Sequence, residues 1–191
     1  MDIHTQSESP GQGAVLYRGQ EIIGLPVIDI ENGNTLGQVN DILYHRDGSV
    51  TGFLISDGQG REGVISLSAA VGVGSGAVTA KTPIILAGPA PGTEIGASSI
   101  AGTKVITAGG DELGSVRDVT VDWETGRVVG LELSDGLIRD VIDGRAILPL
   151  NGVVTWGEGV LIVENRFTGI WNGEEVTGNV EGGQGDGLSG V

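Results

Sequence analysis

Two small β-barrels in tandem are the fold class this sequence predicts, on three observations: a turn-forming composition, a duplicated segment, and strand-type periodicity inside each copy. The chain has 191 residues, room for two small domains, and its 39% hydrophobic content supplies a core. Its 36 glycines follow no G-X-Y period, which excludes collagen, and helix bundles are poor hosts for so much glycine. The duplication appears at a spacing of 78 residues, where GLPVIDIENGNTLGQVNDILYHRDGSVTGFLISDG, starting at Gly24, aligns with GTKVITAGGDELGSVRDVTVDWETGRVVGLELSDG, starting at Gly102. Identical pairs include Val27/Val105, Leu36/Leu113, Gly37/Gly114, Val39/Val116, Asp41/Asp118, Gly48/Gly126, Gly52/Gly130 and Asp57/Asp135. A one-residue difference in each of two turns keeps the register, and turns are where insertions are tolerated.

Element by element, residues 1–17 form a polar N-terminal segment, and the first copy occupies 18–81. In VTGFLIS, alternation puts Thr51, Phe53 and Ile55 on one face; in VVGLELS it puts Val129, Leu131 and Leu133 on one face with Glu132 opposed. Phe53, Ile55, Leu131 and Leu133 are thus the expected inward residues. In the preceding strands, Val39, Ile42 and Tyr44, like Val116, Val119 and Val121, break strict alternation beside Asp41 and Asp118, which predicts a bulge in both copies. HRDGS and WETGR read as hairpin turns in which Gly48 and Gly126 take positive φ. Further strands are expected at 63–67, 77–81, 146–150 and 159–164. Residues 82–97, with Pro83, Pro89 and Pro91, read as a Pro/Gly-rich linker. The second copy follows over 98–170, and 171–191 form a glycine-rich tail too poor in apolar surface to fold alone.

These residues carry a resemblance. The opening EIIGLPVIDIENG, the core LGQVNDILYHRDGSVTGFLISDG and its second version LGSVRDVTVDWETGRVVGLELSDG resemble the PRC-barrel domain, named for the photosynthetic reaction centre H subunit and found at the C-terminal end of the ribosome maturation factor RimM. The tandem arrangement is similar to two-barrel proteins of unknown function in Gram-positive bacteria. The resemblance implies compact barrels used as adaptor or assembly modules, with no catalytic residues to carry over.

Charge and residue inventory narrow the chemistry. Ten basic against 25 acidic residues leave a net charge of −15, which repels phosphate backbones, so nucleic acid is not an expected partner and a RimM-like RNA role is the lesser alternative. There is no cysteine, and the two histidines, His4 and His45, cannot build a triad or a multi-histidine metal site. DIENGN at 29–34 and DGQGRE at 57–62 resemble calcium loops only in part and are read as turns; GVGSG at 72–76 lacks the rest of a phosphate loop. Asp41 and Asp118, repeat-equivalent, are expected to accept backbone N–H bonds beside the bulges. Trp123, Trp156 and Trp171 are candidate protein-interface residues, with barrel-mouth capping or seam filling as the equal alternative. No catalytic residue, cofactor site or metal site is assigned, and a metal-dependent hydrolase is disfavoured because no ligand cluster is visible.

The expectation is therefore a non-enzymatic structural or adaptor protein whose partner is another protein or itself, as a homo-oligomer or larger assembly, with no small-molecule substrate evident. With no run of 18 uninterrupted apolar residues and a polar start, MDIHTQSESP, no transmembrane segment or signal peptide is read and a cytoplasmic location is expected.

Overall fold

The computed structural model describes residues 15–81, 94–134 and 147–167. The first copy runs β1 (Leu16–Arg18), α1 (Gly19–Ile22), β2 (Pro26–Asp29), β3 (Thr35–Tyr44), β4 (Val50–Ser56), β5 (Glu62–Ser66), β6 (Ala70–Val73) and β7 (Val78–Ala80). The second runs β8 (Ile95–Gly96), α2 (Ala97–Ile100), β9 (Lys104–Thr107), β10 (Glu112–Asp122), β11 (Arg127–Ser134), β12 (Ile147–Pro149), β13 (Val153–Gly157) and β14 (Val160–Val163).

Both copies form a sheet with the same strand order, β5-β4-β3-β2-β7-β6 and β12-β11-β10-β9-β14-β13. In each, the meander is antiparallel and the sheet then turns back through one parallel pair, β2 with β7 and β9 with β14. The result is a pair of small curled barrels. The inward residues expected from alternation, Phe53, Ile55, Leu131 and Leu133, are all buried, and the cores of the two copies merge into one continuous apolar cluster.

The bulges are present in both copies. Pairing of β3 with β4 passes from Val39–Ile55 to Asp41–Leu54, leaving Asn40 as the extra residue, and pairing of β10 with β11 passes from Val116–Leu133 to Asp118–Glu132, leaving Arg117. A second register shift, unanticipated, leaves Thr51 unopposed in β4 and Val129 unopposed in β11. It corrects the expectation for Val129, which does not share the burial of Leu131 and Leu133 but is 39% exposed, because a bulge resets the alternation. Glu132, on the opposed face, is buried as well. Its cross-strand neighbour Asp118 receives α1, so that face of the sheet is not open to solvent.

Both lead-in strands start outside the spans expected for the two copies. Strand β1 begins inside the expected 1–17 segment, and β8 with the first residue of α2 lies inside the expected 82–97 linker. Strands of three and two residues offer no alternation to read, and both pair away from their own copy. β1 pairs with β10, Tyr17 opposite Val121, while β8 pairs with β3, Ile95 opposite Tyr44. Each copy thus lends its lead-in to the other. Strands β6 and β13 were not foreseen, since AVGV and VVTWG carry little periodic signal. Residues 82–93 of the linker, and the tail 171–191 with Trp171, lie outside the described residues.

Candidate interaction site at the seam

Each of the repeat-equivalent acids receives the lead-in helix of the other copy. Asp118 accepts the backbone N–H of Val119 at 2.8 Å through Oδ1 and that of Gln20, in α1, at 3.2 Å through Oδ2. Asp41 Oδ1 accepts Ile42 N–H at 2.8 Å and Ser98 N–H, in α2, at 2.9 Å. Gln20 and Ser98 are 78 residues apart, so the two contacts are the same bond made twice about a pseudo-two-fold axis. The bulge explains the arrangement: it turns the carboxylate back onto the next N–H, freeing the side chain to receive a short helix whose first N–H groups have no partner of their own. Small residues permit the approach. A Cβ on Gly19 would come within 2.5 Å of Asp118 Oδ1, and one on Gly96 would overlap the Asp41 carboxylate.

The two hairpin turns cross at the middle of the seam. Val50 N–H donates to Gly126 O at 2.9 Å and Val128 N–H to Gly48 O at 2.7 Å, again one bond repeated. Gly48 has φ of +89°, and a Cβ there would stand 2.6 Å from the Val128 carbonyl, so both its backbone sign and its position call for glycine. The Arg127 guanidinium donates to Ser49 Oγ at 3.3 Å and to the Asp47 carbonyl. The Ser49 backbone N–H, then its hydroxyl, with the Arg127 and His45 charges adding less, hold the Asp47 carboxyl below the usual carboxylate range.

Aromatic residues are distributed unequally about the axis. Trp123 stacks on Phe53 of the other copy, ring centroids 6.3 Å apart at 20°, and so contributes to the seam. Tyr17 donates its hydroxyl to the Val73 carbonyl at 2.7 Å. Tyr44 is fully buried, and its hydroxyl has no hydrogen-bond partner among the described residues; burial, with the nearby Asp41 charge second, pushes its pKa well up. On the other side a cavity of about 390 Å³ opens between Arg46 of the β3–β4 turn, Ile95, Ser99 and Ile100 of the second lead-in, and Trp156 and Glu158 of the β13–β14 hairpin.

The remaining sequence candidates are absorbed by loops. Asp29 Oδ1 accepts Glu31 N–H at 2.9 Å and its Oδ2 accepts Asn32 Nδ2 at 2.9 Å. Asp57 Oδ1 accepts Gln59 and Arg61 N–H at 2.8 and 2.9 Å, while its Oδ2 takes Arg61 Nε at 2.7 Å. The Arg61 backbone bond chiefly lowers the Asp57 pKa. His45 is half-buried at the head of the β3–β4 turn, its backbone N–H donating to Ser49 O at 2.9 Å. GVGSG spans the end of β6 and the turn that leads to β7. No group of three or more metal-ligating side chains occurs among the described residues.

Sequence reasoning missed Tyr17, Arg46 and Arg127. Their importance arises from pairing between copies, and the only available signal was the offset itself: residues 78 apart do equivalent work.

A search of curated proteins returned no match. The sequence profile of the PRC-barrel domain matches twice, over residues 15–84 and 92–167, and both matches take in the lead-ins that cross the seam. Two matches, one strand order repeated and one reciprocal seam make this chain a member of the PRC-barrel domain family, with two such domains in tandem.

Proposed function

We propose that this chain is a non-enzymatic structural or adaptor module that works through protein contacts, self-association included. The observation that carries the reading is a pair of equivalent edges. Among the described residues, strands β6 and β13 stand last in their sheets and occupy the same place in the two copies. At matching register shifts, between Ala70 and Gly72 and between Val153 and Thr155, they expose Val71 and Val154, 50% and 60% accessible. An outer strand with an exposed β-branched side chain is a template for strand addition, although in β6 the Val73 carbonyl is already taken by the Tyr17 hydroxyl. The seam holds the two edges in a fixed relation, as a two-point adaptor requires.

The net charge of −15 favours a basic partner, and makes self-association strengthen with salt. The test is capture from lysate under nuclease treatment, together with sizing of the purified chain across salt and concentration, using wild type and the Val71→Lys/Val154→Lys double variant. The expected result is a nuclease-resistant protein partner or a salt-promoted oligomer that the double variant loses while its melting temperature holds. Recovery of nucleic acid alone, or association indifferent to both substitutions, would refute the edge-strand adaptor.

A further inference from the structure

We propose that the cavity beside Trp156 is a binding site for a phenolic ring, independently of whether the chain is an adaptor. The argument starts from the internal symmetry. Tyr17 faces Val121 and Ile95 faces Tyr44, and since Val121 and Tyr44 are equivalent, so are Tyr17 and Ile95. Val73 lies opposite Val78, which pairs with Val27; Trp156 lies opposite Leu161, which pairs with Val105. Val27 and Val105 are equivalent, so Val73 and Trp156 are too.

At the first of these places the chain supplies a phenol of its own, with Tyr17 hydroxyl on the Val73 carbonyl at 2.7 Å. At the second, Ile95 is too short to cross the same gap, and the cavity of about 390 Å³ lies there instead. That volume falls within the span typical of small-molecule sites.

The lining suits a ring that carries one hydroxyl. The Trp156 indole offers a stacking face, with Ile95, Ile100 and Leu161 as apolar floor. The Trp156 carbonyl, counterpart of the acceptor that Tyr17 uses, is the natural partner of the hydroxyl. Arg46 and Glu158 place opposite charges in the lining, so a neutral phenol suits the site better than an anion, which the protein's −15 field repels.

The test uses the ¹⁵N-labelled full chain titrated with 4-ethylphenol, with ethylbenzene of the same shape but no hydroxyl, and with N-acetyltyrosinamide, following the amides of Ser99, Gly157 and Gly159. The proposal expects saturable shifts with 4-ethylphenol and binding of ethylbenzene weaker by about tenfold, the scale of one hydrogen bond. Ile95→Tyr, which rebuilds the internal phenol, should lose the binding, and Trp156→Val, which copies the first site, should weaken it by about tenfold or more. If Ile95→Tyr fails to fold, Trp156→Val decides. Binding of the capped tyrosine as well identifies the source as a polypeptide side chain; binding of 4-ethylphenol alone identifies a free small molecule, and either sustains the site. Absence of saturable shifts, equal affinity for ethylbenzene, or binding that survives Trp156→Val would overturn it.

Discussion

At one end of the seam Tyr17 bonds across to Val73 and Trp123 stacks on Phe53, so two aromatic rings fill the space; at the other, Ile95 and Arg46 take the same places and a cavity opens beside Trp156. The backbone does not register this difference. Asp118 and Asp41 receive the same helix N–H, and Val50 and Val128 make the same bond to the opposite turn. Main-chain bonds and bulges fix where the copies meet, and side chains at the periphery are then free to diverge. The symmetric part of the seam is therefore where stability should be sought, and the asymmetric part is where binding should be.

The sharpest way to break the comparison is through the shared core. Leu131→Asp removes a fully buried leucine, a loss of about 2–5 kcal/mol, and adds the further cost of burying a carboxyl. Because the apolar cluster is continuous, both copies should melt together in calorimetry, far below wild type. A residual transition from an intact first copy would contradict a single cooperative unit.

The capping acids should respond in order of burial. Asp118 is buried and Asp41 half-buried, so Asp118→Ala should cost about 1–3 kcal/mol and Asp41→Ala about 0.5–1.5 kcal/mol in denaturant melts. Equal costs would mean that the two ends are energetically as alike as their backbones.

The two tyrosines separate a satisfied hydroxyl from an orphaned one. Tyr17→Phe loses the bond to Val73 and should destabilise by about 0.5–1.5 kcal/mol, whereas Tyr44→Phe removes a buried hydroxyl that has no partner among the described residues and should be neutral or stabilising by up to about 1 kcal/mol. A large loss in Tyr44→Phe would reveal a bond that the described residues do not make.

The smallest effect belongs to the loop acids. Asp47 and Asp57 have folded-state pKa values below their ordinary ones, so their contribution is present above the ordinary carboxylate range and lost as pH falls through the lowered values. The difference in melting temperature between wild type and Asp57→Asn should be present at neutral pH and vanish in strong acid. A difference that persists there would assign the effect to packing.

Much of this was legible in the sequence. Fold class, the inward Phe53, Ile55, Leu131 and Leu133 and the first pair of bulges followed from alternation and from the offset of 78 residues, because an apolar side chain has to find an interior and a repeated pattern has to find it twice. The asparagine-containing turn at 29–34 and the DGQGRE turn likewise read as what they are. The crossing of β1 and β8 did not, since two or three residues with no pattern give no hint of which copy they join. Trp123 was visible as an exposed or seam residue but not which, as stacking on Phe53 is a contact between residues 70 apart. The cavity was invisible for the same reason: it is a difference between Tyr17 and Ile95, and only the strand registers reveal that those two residues are counterparts.

The reciprocal lead-ins also give the two copies different histories on the ribosome. The second lead-in emerges after β3, so Ser98 finds Asp41, 57 residues behind it, already synthesised. The first has the opposite experience, because the partner of Gln20 lies 98 residues ahead and α1 has nowhere to dock until β10 has been made. Two bonds that are equivalent in the finished molecule therefore wait on different residues, one on Ser98 and the other on Asp118. Until β10 has been made, the first copy presents an undocked β1 to whatever is nearby.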